Sequence, residues 1–288
     1  MRTLGLLGLV AVVLGMTALA SPWVAWGAAR VVGHPFAFAR VYDRVFEVLL
    51  AGGLVLDWGR LDLGGLTDIG FRRRAWVRDL IRGLVVGLAG LAAGIAVAAF
   101  FGGILPALRF PPGKTLRKAL LGAAAAAAIG VGEEAFFRGV LLRRIRCDAG
   151  DPPAIAATAL VYAAVHVIRT RSYAGPVHLW SGMQQTIALL APLASGSVPP
   201  QMIGLLLLGV LLALARLRSG ALWLPIGLHA AFVAAFRVGR LFFEIRPKPA
   251  WLVGTGWPPL IGGAAGWIAV GVAALLLARP HRMFRSKA

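Results

Sequence analysis

Residues 117–142 read RKALLGAAAAAAIGVGEEAFFRGVLL. From Ala119 to Gly132 no side chain is charged, which is the character of a helix that crosses a bilayer in about 20 residues. Two adjacent carboxylates, Glu133 and Glu134, lie well inside that run. Each costs roughly 3 kcal/mol or more at membrane depth, so something must hold them. Glu134 and Arg138 are four apart, share a helix face and are placed to pair. Glu133 points about 100° away around the helix and is not neutralised by Arg138 directly. This spacing predicts a held charge at Glu134 and a carboxylate facing a cavity at Glu133. A purely structural pair would need only one Glu.

The rest of the chain agrees with a membrane setting. Of 288 residues, 59% are hydrophobic, 37 more are Gly, and only 14% are charged, against roughly 25% charged in soluble domains. Mean hydropathy is +0.80. These values exclude an ordinary soluble domain, a disordered chain and a disulfide-stapled module. The expected fold is all-α: a polytopic transmembrane helical bundle of about eight spans, forming one integral membrane domain over 1–288. The spans are expected near 4–26, 41–58, 80–105, 117–142, 153–168, 199–217, 219–237 and 259–278, with the second and fifth short. The first resembles a signal peptide, with Ala18-Leu19-Ala20 before Ser21, but a polytopic chain follows it and an uncleaved span is expected. Pro225 is tolerated in the seventh because neighbouring helices satisfy the freed carbonyl. Residues 172–198 do not fill a span, and an interfacial or re-entrant segment is expected there.

Thirty Lys and Arg against eleven Asp and Glu give a net charge of +19. In a soluble chain that balance would suggest nucleic acid. Between apolar spans it anchors loops to lipid headgroups, so membrane lipids and not nucleic acid are the expected partners. The basic residues lean toward the segments that lie inside when both termini are cytoplasmic. Cys147 is the one cysteine, which excludes an internal disulfide and a multi-Cys metal site. Nine of the eleven acids lie in polar segments or at the ends of apolar runs. Glu133 and Glu134 are the exceptions.

Of five histidines, His34 and His281 lie in basic loops and His178 in the irregular segment. His166 and His229 lie within apolar helical runs, with Tyr162 one turn before His166. Two intramembrane His on different spans, with Glu-Glu-x-x-x-Arg on a third, point to one shared site. That requires Glu133 within about 10 Å of an imidazole, the reach of one bridging water with margin. One Glu and two His match the ligands of a catalytic zinc with an open position. They equally match a metal-free site in which Glu133 activates water and imidazole stabilises an oxyanion. Glu and His inside a bundle also suit a proton relay in a transporter, although no repeat symmetry supports that reading.

The three motifs together resemble the CPBP family of CAAX proteases and bacteriocin-processing, abortive-infection-type membrane proteins. Members carry Glu-Glu-x-x-x-Arg, Phe-x-x-x-His and His-x-x-x-Asn (or Asp) on separate helices. Here the first is complete in Glu133, Glu134 and Arg138. The second is Tyr162 and His166, with Tyr in place of Phe. The third is His229, with Val233 where Asn or Asp stands in the family. The resemblance covers about 117–236. It implies an eight-helix fold with an intramembrane cavity and cleavage of membrane-associated proteins or peptides near the membrane surface. It also implies that Glu133 with His166 activates water and His229 stabilises the oxyanion, with no cofactor; zinc on Glu133, His166 and His229 is the alternative. Glu134, Arg138 and Tyr162 are the supporting residues. Val233 removes one oxyanion donor and favours, as a second reading, a non-catalytic scaffold or immunity protein. The Ala- and Arg-rich usage resembles a bacterium of high GC content, hence an inner-membrane location.

Overall fold

The computed structural model describes residues 2–167, 173, 175–194, 200–246, 249–254 and 260–278. In chain order the elements are α1 (Arg2–Val32), α2 (Phe38–Leu56), α3 (Leu66–Ile69), α4 (Trp76–Phe100), β1 (Ile104–Pro106) and α5 (Pro112–Glu134). A π-helical segment (Ala135–Leu141) leads into α6 (Leu142–Ala149). Then follow α7 (Asp151–Val167), α8 (Ser181–Ala194), α9 (Pro200–Ser219), α10 (Trp223–Gly239), β2 (Phe243–Ile245), α11 (Ala250–Val253) and α12 (Ala264–Ala278). The fold is an all-α membrane bundle, and a helix stands at each of the eight expected positions. Among the described residues, four helical stretches are long and apolar enough to cross a membrane: Thr3–Val32, Trp76–Phe100, Pro112–Ala149 and Pro200–Ser219.

The structure adds detail that apolar run length does not carry. The fourth expected span, 117–142, extends to Pro112–Ala149, about 57 Å at 1.5 Å per residue, against a hydrocarbon core of about 30 Å. Its far end carries Arg143, Arg144 and Arg146. The helix α2 is amphipathic: Arg40, Asp43, Arg44 and Glu47 recur at helical spacing on one face, and Arg44 pairs with Glu47. Within 172–198 the described residues include the 14-residue α8, which the mixed Gly, Ser, Gln and Pro composition does not suggest. An unexpected two-stranded antiparallel ribbon pairs Ile104 with Ile245 and Pro106 with Phe243. His281 lies outside the described residues.

The chain divides into two compact units. The first comprises Met1–Gly64 with Ala164–Val198. In it α1 runs unbroken through Ala18-Leu19-Ala20 and Pro22. A Cβ on Gly182 would stand 1.9 Å from the Ala18 carbonyl oxygen, so only Gly lets α8 approach α1 this closely. The Tyr42 and Thr186 hydroxyls are 2.6 Å apart, and Trp26 Nε1 donates to the Val177 carbonyl at 3.2 Å.

The second unit comprises Gly65–Ala163 with Pro199–Ala288. Here α4 packs against both α10 and α12. Gly83, Gly87, Gly90 and Gly94 recur along one face of α4, and small residues on an interface let backbones meet. A Cβ on Gly83 would lie 2.2 Å from the Leu224 carbonyl, and one on Gly94 would lie 2.4 Å from that of Ala265. Outside this core, Leu116, Leu120 and Leu121 on α5 are each more than 60% exposed, as a face turned to lipid requires.

Candidate active site

The site is assembled where α5 meets α10. Gly130 faces Ile226 and Ala230 there, with room for no more than a tight Cβ at 3.2 Å from the Ile226 carbonyl oxygen. Glu134 is one turn further along α5 on the same face, so this approach carries it to His229. Both residues are almost wholly buried. The Glu134 Oε1 atom lies 2.8 Å from His229 Nδ1 and accepts from Arg138 Nη1, also at 2.8 Å. An ionised carboxylate only accepts, so Nδ1 carries the hydrogen. That fixes the ring orientation and turns Nε2 toward Glu133 and Tyr162.

His229 Nε2 is 3.8 Å from Glu133 Oε2 and 3.4 Å from the Tyr162 hydroxyl. Glu133 is the exposed member of the group, with 31% of its side-chain surface accessible while Glu134 and Arg138 have none. The structure thus brings Glu133, Glu134, Arg138, Tyr162 and His229 together within one unit. His166 is half-buried on α7, four residues after Tyr162, and belongs to the first unit. Val233 is half-buried on α10, one turn beyond His229.

Arg138 is pinned from several sides. Its Nη2 donates to the Gly209 carbonyl at 3.1 Å, and its guanidinium stacks over the Tyr162 ring at 4.6 Å. Gly209 packs against Ala159 with about 3.0 Å available to a Cβ, so α9 approaches α7 closely enough to present that carbonyl. Phe137 meets Tyr162 edge-on at 5.2 Å, completing the wall. The π-helical segment from Ala135 to Leu141 contains Phe137 and Arg138. Such turns are rare and are frequent at functional sites.

The cluster sets two carboxylates, Glu133 and Glu134, beside one guanidinium and one imidazole. Glu134 does more than its spacing to Arg138 predicts, because it also orients the imidazole. The signal for that was present in Gly130 and Glu134, which share a helix face, but it needed the partner helix to be read. Among the described residues, no three His, Cys, Asp or Glu side chains gather as a set that would hold a metal ion.

A multi-pass helical membrane protein with a buried Glu, Arg and His cluster beside a half-exposed carboxylate is the class that fold and site define. A family model described as type II CAAX prenyl endopeptidase Rce1-like matches residues 115–235, the segment that carries every one of these groups. Over that segment the chain is similar to the CAAX (CPBP) family of intramembrane proteases. Searches of the curated proteins and of the solved structures found no match.

Proposed function

We propose that this chain is an endopeptidase that hydrolyses a peptide bond in a membrane-associated protein or peptide, near the surface of a bacterial inner membrane and without a metal. The observation that carries this reading is the approach of Glu133 Oε2 to His229 Nε2 at 3.8 Å, with the other imidazole nitrogen locked on Glu134. A water hydrogen-bonded to both fits that gap at ordinary distances of about 2.8 Å. Glu133 takes a proton from this water as its oxygen attacks the scissile carbonyl carbon, with His166 in the assisting role that the family resemblance gives it. The carbonyl oxygen becomes an oxyanion beside His229 Nε2, which stabilises it when that nitrogen carries a proton. Collapse of the tetrahedral intermediate breaks the C–N bond, and the proton held by Glu133 passes to the leaving amine.

Tyr162 completes this scheme. Losing one oxyanion donor costs about 10²–10³ in turnover, and Val233 has no donor to offer. The Tyr162 hydroxyl lies against the same imidazole nitrogen. When Nε2 carries a proton, the hydroxyl hydrogen is released from that nitrogen and turns to the oxyanion. A phenol on α7 thereby supplies what an amide at position 233 would. The second reading, a non-catalytic relative serving as membrane scaffold or immunity protein, rests on Val233 alone.

The test is cleavage of a library of membrane-tethered peptides by purified protein, comparing wild type with Glu133→Ala, each with and without a chelator. Wild type is expected to cut with or without chelator, and Glu133→Ala is expected to be inactive. Equal cleavage by Glu133→Ala sinks the glutamate mechanism, and loss on chelation moves the reading to zinc. Absence of any cleavage by wild type favours the scaffold.

A further inference from the structure

The second unit carries a groove of about 450 Å³ between α9 and α12 that the proteolytic reading does not use. Leu211, Leu214 and Arg218 line it on α9, and Gly271, Ala274 and Ala278 on α12. These residues recur three and then four apart, which keeps each set on one helix face. The α12 side mixes these small residues with Leu275 and Leu277, and a Cβ built on Gly271 meets no atom within 4 Å. Gly271 is exposed, so the groove opens at the surface of the bundle. Apart from Arg218 at its mouth, every residue lining it is apolar.

The mouth is positively charged. The charges acting on the Arg82 guanidinium are those of Asp79, Arg78 and Arg218, so three arginines gather there with one aspartate. Asp79 is already engaged by Arg78 at 3.5 Å. The end of the bundle around them is basic as well, since Arg72, Arg146 and Arg143 are the charges that act on Arg216. An apolar channel that ends in a cationic mouth is complementary to one molecule class, an acyl chain carrying an anionic headgroup. Basic pockets between membrane helices bind such headgroups.

We propose that this groove is a binding site for one anionic phospholipid, its acyl chain lying between α9 and α12 and its phosphate at Arg218 and Arg82. The inference does not rest on proteolysis, because none of the five gathered active-site residues lines the groove.

The experiment titrates detergent-solubilised full-length protein with phosphatidylglycerol or phosphatidylcholine of identical chains, reading lipid-induced thermal stabilisation. Wild type is expected to prefer phosphatidylglycerol at least fivefold and to show no shift with inorganic phosphate. Arg218→Gln is expected to lose about fivefold in that preference, the worth of one basic residue near a charged lipid surface. Gly271→Phe fills the channel without meeting a neighbour at Cβ and is expected to weaken both lipids. Equal affinity of wild type for the two lipids overturns the proposal, as does full preference retained in Arg218→Gln. Unchanged binding in Gly271→Phe, or a shift with inorganic phosphate equal to that with phosphatidylglycerol, overturns the placement of the acyl chain.

Discussion

Replacing Arg138 by Met keeps most of its volume and removes its charge, which isolates what the guanidinium does. In the native protein it satisfies Glu134 Oε1 at 2.8 Å and the Gly209 carbonyl at 3.1 Å, with no surface exposed to solvent. The variant leaves Glu134 as a buried carboxylate held only by His229. Its second oxygen, Oε2, has no hydrogen-bond partner among the described residues. Breaking one side of a buried ion pair costs about 3–5 kcal/mol. At about 2–4 °C of melting temperature per kcal/mol, the expected loss is about 6–20 °C. Removing both charges with Glu134→Leu and Arg138→Met together relieves the stranded carboxylate, and the remaining cost is chiefly the His229 Nδ1 donor, about 1–3 kcal/mol. The double variant should therefore melt above the single one, an inversion that simple loss of contacts does not give. Thermal unfolding in detergent, followed by the fluorescence of the nine tryptophans, measures both. A shift below about 2 °C for Arg138→Met, or a double variant less stable than the single, refutes the reasoning.

Further expectations concern the oxyanion donor and the helix interfaces. Tyr162→Phe should lower turnover about 10²-fold with little change in melting temperature, and adding Val233→Asn to it should recover activity; peptide cleavage rates of the two variants decide this. Gly83→Leu should destabilise strongly, because its Cβ would stand 2.2 Å from the Leu224 carbonyl and α4 must part from α10. Gly239→Leu, where a Cβ meets nothing within 4 Å, should be close to neutral, and the pair of melting curves checks the contrast.

The apolar runs made the helices legible because a bilayer demands length and satisfied backbone groups, and both are visible residue by residue. The carboxylates were legible for the opposite reason: Glu133 and Glu134 contradict their surroundings. Boundaries were less so. The α5 to α6 stretch continues beyond the apolar run because helical hydrogen bonding does not stop at the headgroups. The helix α8 was hidden by Gly182, Ser181 and Pro192, residues that read as punctuation, yet Gly182 is the contact with α1. The pairing of His229 Nδ1 with Glu134 was out of reach, since spacing along one helix cannot show which carboxylate a second helix will meet. That choice is made at Gly130, by the closeness of α10.

The π-helical segment has a bearing on how this stretch is aligned and engineered. Its hydrogen bonds reach one residue further than those of an α-helix, so it absorbs one residue without lengthening the helix by a full step. Each residue of an α-helix turns the chain by about 100°. Everything after Leu141 is therefore set a quarter-turn or so out of phase with Glu133 and Glu134. A single α-helical wheel drawn through 112–149 assigns the wrong faces to its second half, in which Arg144 is 2% exposed. A chain one residue shorter here would retain every named side chain of the site and present α6 to different neighbours. In this protein the seven residues from Ala135 to Leu141 work as a gear between the buried carboxylates and the basic end of the helix.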